Sequence, residues 1–203
     1  MVNDSTVKKE GRQDRKEETR RVLLGAARRV FARDGVLAAT ATSVAQEADR
    51  AHGSVFVHFG SLGGLISAVI EDFGLALARD LQERTQAGAS AAVVLGAHLD
   101  GVAAHEDFYT RLVVEGPLLP TEARQSLVGV QSTISHHLSP AFESLALPGV
   151  PPAFLFNLWV GIVHRYLADR EFFSPGASVL RSRGPELVTQ FLTLLSISKG
   201  GNE

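Results

Sequence analysis

A chain of 203 residues with no cysteine can form neither a disulfide nor a thiolate metal site, and it offers no cysteine nucleophile. Its apolar content of 45% suits a sizeable core, in one medium domain or a small domain joined to a larger one. The net charge of −2 is unevenly placed: residues 1–60 carry +3 and residues 61–203 carry −5, as a small DNA-contacting segment on an acidic body would.

Residues 1–15 are polar and charged without apolar periodicity and read as a disordered arm. Its Lys8, Lys9, Arg12 and Arg15, with Lys16, could reach a DNA backbone or simply form a solvated tail. A first helix is expected from near Glu17 to Arg33, because Val22/Leu23, Ala26/Ala27 and Val30/Phe31 recur every four residues. Asp34-Gly35 ends it, with glycine available for a left-handed cap. Thr40 suits the N-cap of a second helix, whose inward residues are Ala41, Val44, Ala45 and Ala48. Asp49-Arg50 forms the turn, aspartate tolerating a positive φ better than most residues. A third helix over roughly Ala51 to His58 points Val55 and Phe59 inward. Two short helices joined by a tight turn form the unit that delivers an exposed helix into the DNA major groove. Residues 16–60 are therefore expected to be a three-helix, helix-turn-helix DNA-binding domain.

From Ser61 the pattern becomes long and helical, with Leu62, Leu65, Ile66, Val69, Ile70, Phe73 and Leu77 on one stripe. Further helices are expected at about 90–105, 107–116, 121–145, 153–170 and 178–197. Breaks fall at Gly88, Gly116-Pro117, Pro148 to Pro152 and Ser174-Pro175-Gly176. No segment alternates with period two, so the fold class is all-α. Residues 61–203 then make a larger helical body. The helix from Phe154 to Val163 is apolar nearly all round, and Leu187 to Leu195 adds a second heavy apolar face. A helix apolar on every side must be buried on every side. This points to a subunit interface built from Phe156, Trp159, Val160, Val163, Leu187, Phe191 and Leu194, with a central core helix as the alternative. The polar N-terminus lacks a signal-peptide core. The uncharged stretch Ser144–His164 is broken by Pro148, Pro151 and Pro152, too short in its apolar part to span a bilayer. A cytosolic protein with no membrane partner is expected.

The segment through Phe31, Gly35, Thr40, Val44-Ala45, Ala48, Gly53-Ser54-Val55-Phe56, His58-Phe59-Gly60-Ser61 and Leu65 resembles the TetR family of bacterial transcriptional regulators. The resemblance covers about 50 residues. It implies an all-α homodimer in which three N-terminal helices bind a palindromic DNA operator and a C-terminal body holds a small-molecule effector. It implies further that the last two helices dimerise as a four-helix bundle. Carried over by position, Thr40 and the amide end of its helix would meet a phosphate. Arg50, Ala51, His52 and Ser54 would face base edges, and His58 would donate to a phosphate. Phe56 stands among the DNA-facing positions but, like Val57, lacks the hydroxyl of the tyrosine common in the family. Leu62 replaces a common lysine, and Asp49 replaces the turn glycine. Each lost cationic contact should flatten the salt dependence of binding by nearly one unit of slope.

A pocket in the body is expected to draw on His98, Phe108, Tyr109, Phe156 and Trp159, mostly apolar with a few polar handles and suited to an apolar or aromatic effector. His98 and His105 lie seven apart, on one face of a predicted helix. No HxxxH or HxxE pair accompanies them, so no metal ligands are assigned and no cofactor is expected. Nor is there a GxSxG, P-loop or dinucleotide fingerprint, and no enzyme activity is expected. The sequence thus reads as a ligand-responsive regulator, a repressor released from its operator by a small molecule. A TetR-like ligand-binding protein with weak or lost DNA binding, or a metal-sensing regulator, are the alternatives.

Overall fold

The computed structural model describes residues 4–86 and 88–200. They form ten α-helices and a 3-10 turn, with no strand among the described residues. The first four helices are α1 (Asp4–Asp34), α2 (Ala41–Glu47), α3 (Gly53–Phe59) and α4 (Leu62–Arg84). The body continues with α5 (Ala91–Ala103), α6 (Glu106–Glu115), the 3-10 turn (Gly116–Leu118) and α7 (Thr121–Glu143). It closes with α8 (Pro152–Ala168), α9 (Arg170–Phe173) and α10 (Val179–Gly200). No single described helix is long and apolar enough to cross a membrane.

α1 begins at Asp4, so helix runs through residues 4–15, where an arm without regular structure is expected from the sequence; residues 1–3 lie outside the described residues. Lysine, arginine, glutamate and glutamine are good helix formers in themselves. Pairs such as Gln13 Nε2 to Glu17, 2.7 Å, support a helix without an apolar stripe. The stripe that does exist, Leu23, Ala26, Ala27, Val30 and Phe31, is wholly buried. At its end Gly35 adopts φ +98. A Cβ there would sit 2.7 Å from the Glu115 carboxylate of α6, so this turn tolerates no side chain.

α4 runs from the N-terminal unit into the body and lies along α7, with α5 on another side. Phe73 of α4 meets Phe108 of α6 edge-on at 5.6 Å, and Phe108 in turn stacks on Phe31 of α1 at 6.3 Å. One apolar core therefore continues from the small unit into the body. The Arg28–Asp72 ion pair ties α1 to α4 at the surface of the same seam.

Burial within the chain bears on the interface expected of the last two long helices. Phe156, Trp159, Val160, Val163, Leu187 and Phe191 are at most 9% exposed within the single chain. Trp159 packs on Phe191 at 5.1 Å, and Phe191 on Phe142 at 6.4 Å. Side chains so enclosed by α5, α7 and each other offer little surface to a second subunit. Only Leu194 of that set stays open, at 65%. Beside Leu194, the exposed apolar residues of these helices include Phe154 and Leu158 on α8 and Ile197 on α10.

Candidate nucleic-acid interface and body cavity

The helix-turn-helix is set by two caps and a strained turn. Thr40 accepts from the Ser43 amide at 3.0 Å while its own amide donates to Ser43 Oγ at 3.0 Å, a reciprocal capping box that fixes the start of α2. Ala41, Val44, Ala45 and Ala48 are buried against α1. Asp49 takes φ +52, the left-handed conformation expected of the turn residue. α3 starts at Gly53, two residues later than the sequence pattern suggests. Ala51 and His52 belong to the turn, whose carbonyls receive the Ser54 and Val55 amides. Ser61 caps α4 by accepting from Gly64 N at 2.8 Å. A Cβ on Gly64 would lie 2.3 Å from the Phe59 carbonyl oxygen, so only glycine lets α3 and α4 approach this closely.

These constraints leave Thr40, Arg50, Ala51, His52 and Phe56 exposed and Ser54 and His58 half-buried. Val55 is the buried anchor of α3. His52 is held from two sides: Thr42 Oγ1 bonds its Nδ1 at 3.2 Å, and the Phe56 ring stands edge-on at 5.3 Å. Thr42, in the first turn of α2, is a residue that the sequence pattern did not single out. Arg50 Nη1 donates to the Asp49 carbonyl at 2.7 Å. Arg20 of α1 donates to the His58 carbonyl at 3.3 Å and lies 4.6 Å over the Phe59 ring, which pins the end of α3. Burial, with Lys16 and Arg20 nearby, pushes His58 below its ordinary pKa. Leu62 packs against the core and supplies no outward contact. The Glu18 carboxylate, held below its ordinary range first by a hydrogen bond from Arg21 and also by the Arg50 charge, places negative charge near the same surface.

Of the residues expected in the body pocket, His98, Tyr109 and Phe156 line one enclosed cavity with Ile70, Leu77 and Ile134. Its volume is about 30 Å³, room for little more than a water molecule. Phe108 and Trp159 do not reach it: Phe108 fills the seam between α1 and α4, and Trp159 fills the core beside Phe191. Trp159 Nε1 donates to His98 Nδ1 at 3.3 Å, which places the His98 proton on Nε2. His105 lies beyond the end of α5 and faces Phe73 edge-on, so the two histidines do not share a helix face. Among the described residues no three His, Asp or Glu side chains converge as metal ligands do.

His98 is fully enclosed, and burial first, then the nearby His164, pushes it down to about 4. An unfolded histidine takes its proton near 6.5, so between these values the unfolded chain binds more protons than the native one. The stability contributed by the neutral ring is complete above pH 6.5 and is lost as pH falls toward 4. Urea unfolding should show about 3 kcal/mol of loss over that window. His98→Gln should remove most of the difference; equal losses in both proteins would place the acid sensitivity elsewhere.

Two further carboxylates fix the frame. Glu106, buried at the start of α6, accepts from the Val179 and Leu180 amides at 2.9 and 3.1 Å and caps α10. Glu115, at the other end of α6, accepts from the Leu37 amide at 2.7 Å, and Arg111 of α6 reaches the Arg33 carbonyl at 3.5 Å. α6 therefore carries Tyr109 and Leu112 at the cavity and Glu115 at the loop between α1 and α2. Nothing in the periodicity of α6 marked Glu115, because its partner is a backbone amide distant in sequence.

A capped three-helix unit that presents its third helix outward, on an all-helical body, defines a helix-turn-helix protein. Residues 23–69 match the family model described as bacterial regulatory proteins, tetR family. Residues 23–69 are thus similar to the N-terminal domain of tetR-family regulatory proteins. Solved structures share the fold. Salmonella enterica GusR matches with a TM-score of 0.69 at 21% identity, over 88% of this chain and 94% of that one. The TetR family transcriptional regulator PfmR from Thermus thermophilus gives 0.64 at 15%, over 85% and 96%. The transcriptional regulator FadR from Bacillus subtilis, in complex with stearoyl-CoA, gives 0.67 at 16%, over 86% and 96%. At these identities the likeness is one of fold. No curated protein sequence matches the chain.

Proposed function

We propose that the chain acts in the cytosol as a homodimeric repressor that binds a near-palindromic operator and leaves it when a small molecule enters the body. In this reading residues 16–60 bind DNA and residues 61–203 bind ligand and dimerise, with no catalysis and no cofactor. The observation that carries it is His52, exposed at the head of α3 and oriented by Thr42 and Phe56. A polar ring held outward at the start of a short helix fits base-edge contact, with Arg50, Ala51, Ser54 and Phe56 around it. Thr40 and His58 suit phosphate contacts, which set register and carry no sequence choice. A dimer would need its two α3 helices about 34–36 Å apart, or a multiple, to meet successive major grooves. A ligand shifts that geometry only by as much as it prefers one state. α6 supplies the coupling, because a molecule that displaces Tyr109 or Leu112 also moves the Glu115 anchor of the loop before α2.

The reading is tested by a salt-titrated gel shift on the DNA upstream of the protein's own coding region. Binding should appear at low salt and weaken steeply as salt rises. Thr40→Ala should weaken every site alike, through lost phosphate contact and a cap worth about 0.5–2 kcal/mol. His52→Ala should change which sequences are preferred, by about 1–3 kcal/mol at the affected base pair. Equal loss on all sequences from both substitutions would refute this division of labour. A second reading, a ligand-binding protein without DNA binding, is favoured by the inward packing of Leu62 and by Asp49 and Glu18 at the groove-facing surface. Absence of any shift at low salt would select it.

A further inference from the structure

We propose that the body takes an amphipathic organic acid, a carboxylate bearing an apolar chain, whose head is held by Arg124 in an outer cleft while its chain passes Tyr109 into the inner cavity. The inference rests on the ligand-responsive reading above and names the ligand class of that site.

The inner cavity has an outer neighbour. A cleft of about 280 Å³ opens between α6, the 3-10 turn, α7 and α8, lined among others by Val113, Pro117, Arg124 and Val128. Tyr109, Leu112, Leu127 and Gln131 line both spaces, so these residues are the partition between them. Arg124, Leu127 and Gln131 follow one another at helical spacing on one face of α7. That face leads from a cation at the mouth to an apolar interior.

Charge decides what the mouth accepts. No Asp or Glu lines either space, so nothing there would compensate a cationic ligand. Arg124 donates to the Thr121 hydroxyl at 3.1 Å, and among the described residues it has no carboxylate within ion-pair distance. A guanidinium without a counter-ion, in a cleft of otherwise neutral groups, matches a carboxylate in both charge and geometry.

Orientation follows from the interior. The Tyr109 hydroxyl and His164 Nε2 are 2.9 Å apart, and burial pushes the tyrosine pKa up and the histidine pKa down. This pair and His98 are therefore neutral, and a charged head moved past them would lose its hydration without gaining a partner. The head stays outside and the chain goes in. An inner volume of about 30 Å³ does not hold an alkyl chain while Tyr109 closes it. Uptake requires the Tyr109–His164 hydrogen bond to open, and Tyr109 is the door.

Titration calorimetry on the full chain, with decanoate, octanoate and decyltrimethylammonium, tests this. One decanoate should bind per chain, and octanoate should bind about 15-fold more weakly, at about fourfold per buried methylene. The ammonium compound should not bind. Arg124→Gln, a surface change that leaves the fold intact by circular dichroism, should weaken decanoate about tenfold or more. It should preserve the decanoate-to-octanoate ratio, while Arg124→Lys should recover part of the loss. Binding of the ammonium compound as tightly as decanoate, unchanged decanoate affinity in Arg124→Gln, or equal affinities for the two acids would each overturn the proposal. The gel shift separates this site from the regulatory reading. Decanoate that binds but leaves the DNA complex intact overturns ligand-responsive release by this class and leaves the site standing. Release by another small molecule in a protein that takes up no decanoate overturns the site alone.

Discussion

Trp159→Ala is expected to lower the free energy of unfolding by about 3–5 kcal/mol, and by the same amount at every protein concentration. Trp159 is wholly enclosed and is the largest such side chain in the chain. Its ring lies against Phe191, and its indole N–H is the donor to His98 Nδ1. Truncation removes the transfer energy of the ring, leaves a void in a packed region, and strips a buried acceptor of its donor. If the residue lay between subunits, the deficit relative to the parent would shrink on dilution, because an interface stabilises the fold only while the subunits are associated. Its place inside one chain predicts a constant deficit instead. Urea unfolding at two concentrations a hundredfold apart distinguishes the two. A variant that stays as stable as its parent but becomes monomeric would return Trp159 to an interface.

The same residue shows where sequence reasoning reaches its limit. Periodicity correctly placed a helix through Trp159 and another through Phe191, and it correctly found both heavily apolar. A hydrophobic pattern reports that a face is buried, not what buries it, so Phe156, Trp159, Val163 and Phe191 read equally well as core or as interface. The N-terminal unit was more legible because its signals are local. Thr40 needs only Ser43 to show a cap, and Asp49 needs only its position between two short helices to show a turn. Pocket residues were half legible for the opposite reason. Tyr109 and Phe108 are neighbours in sequence and both touch Phe73, yet one lines the cavity and the other fills the seam with α1. Glu115 and His164 gain their contacts from partners tens of residues away, and no spacing rule reveals such contacts.

The burial of Trp159 leaves the proposed dimer to the opposite faces of the same helices. Phe154 and Leu158 lie one turn apart on α8, and Leu194 and Ile197 lie one turn apart on α10, each 42–68% exposed. α8 and α10 touch one another, so the two apolar strips can act as one self-complementary patch in a two-fold pair. Leu158→Glu combined with Leu194→Glu would bring four carboxylates into that patch across the two-fold axis. Burial of unpaired charge there costs far more than the leucines contribute, while the monomer core, which contains neither residue, should keep its helical circular dichroism. Sedimentation should then show a single-chain species. The larger consequence falls on DNA. In a dimer the second half-site is engaged at an effective concentration set by the first, which multiplies affinity by about 10²–10⁴ without any new contact. The double variant should lose about that factor on a two-site operator, and its salt slope should fall toward half, because half the phosphates are met. On a single half-site it should bind as its parent does. A variant that remains dimeric would move the interface to another surface, and one that becomes monomeric yet binds the full operator unchanged would show that spacing between paired α3 helices is not what reads the DNA.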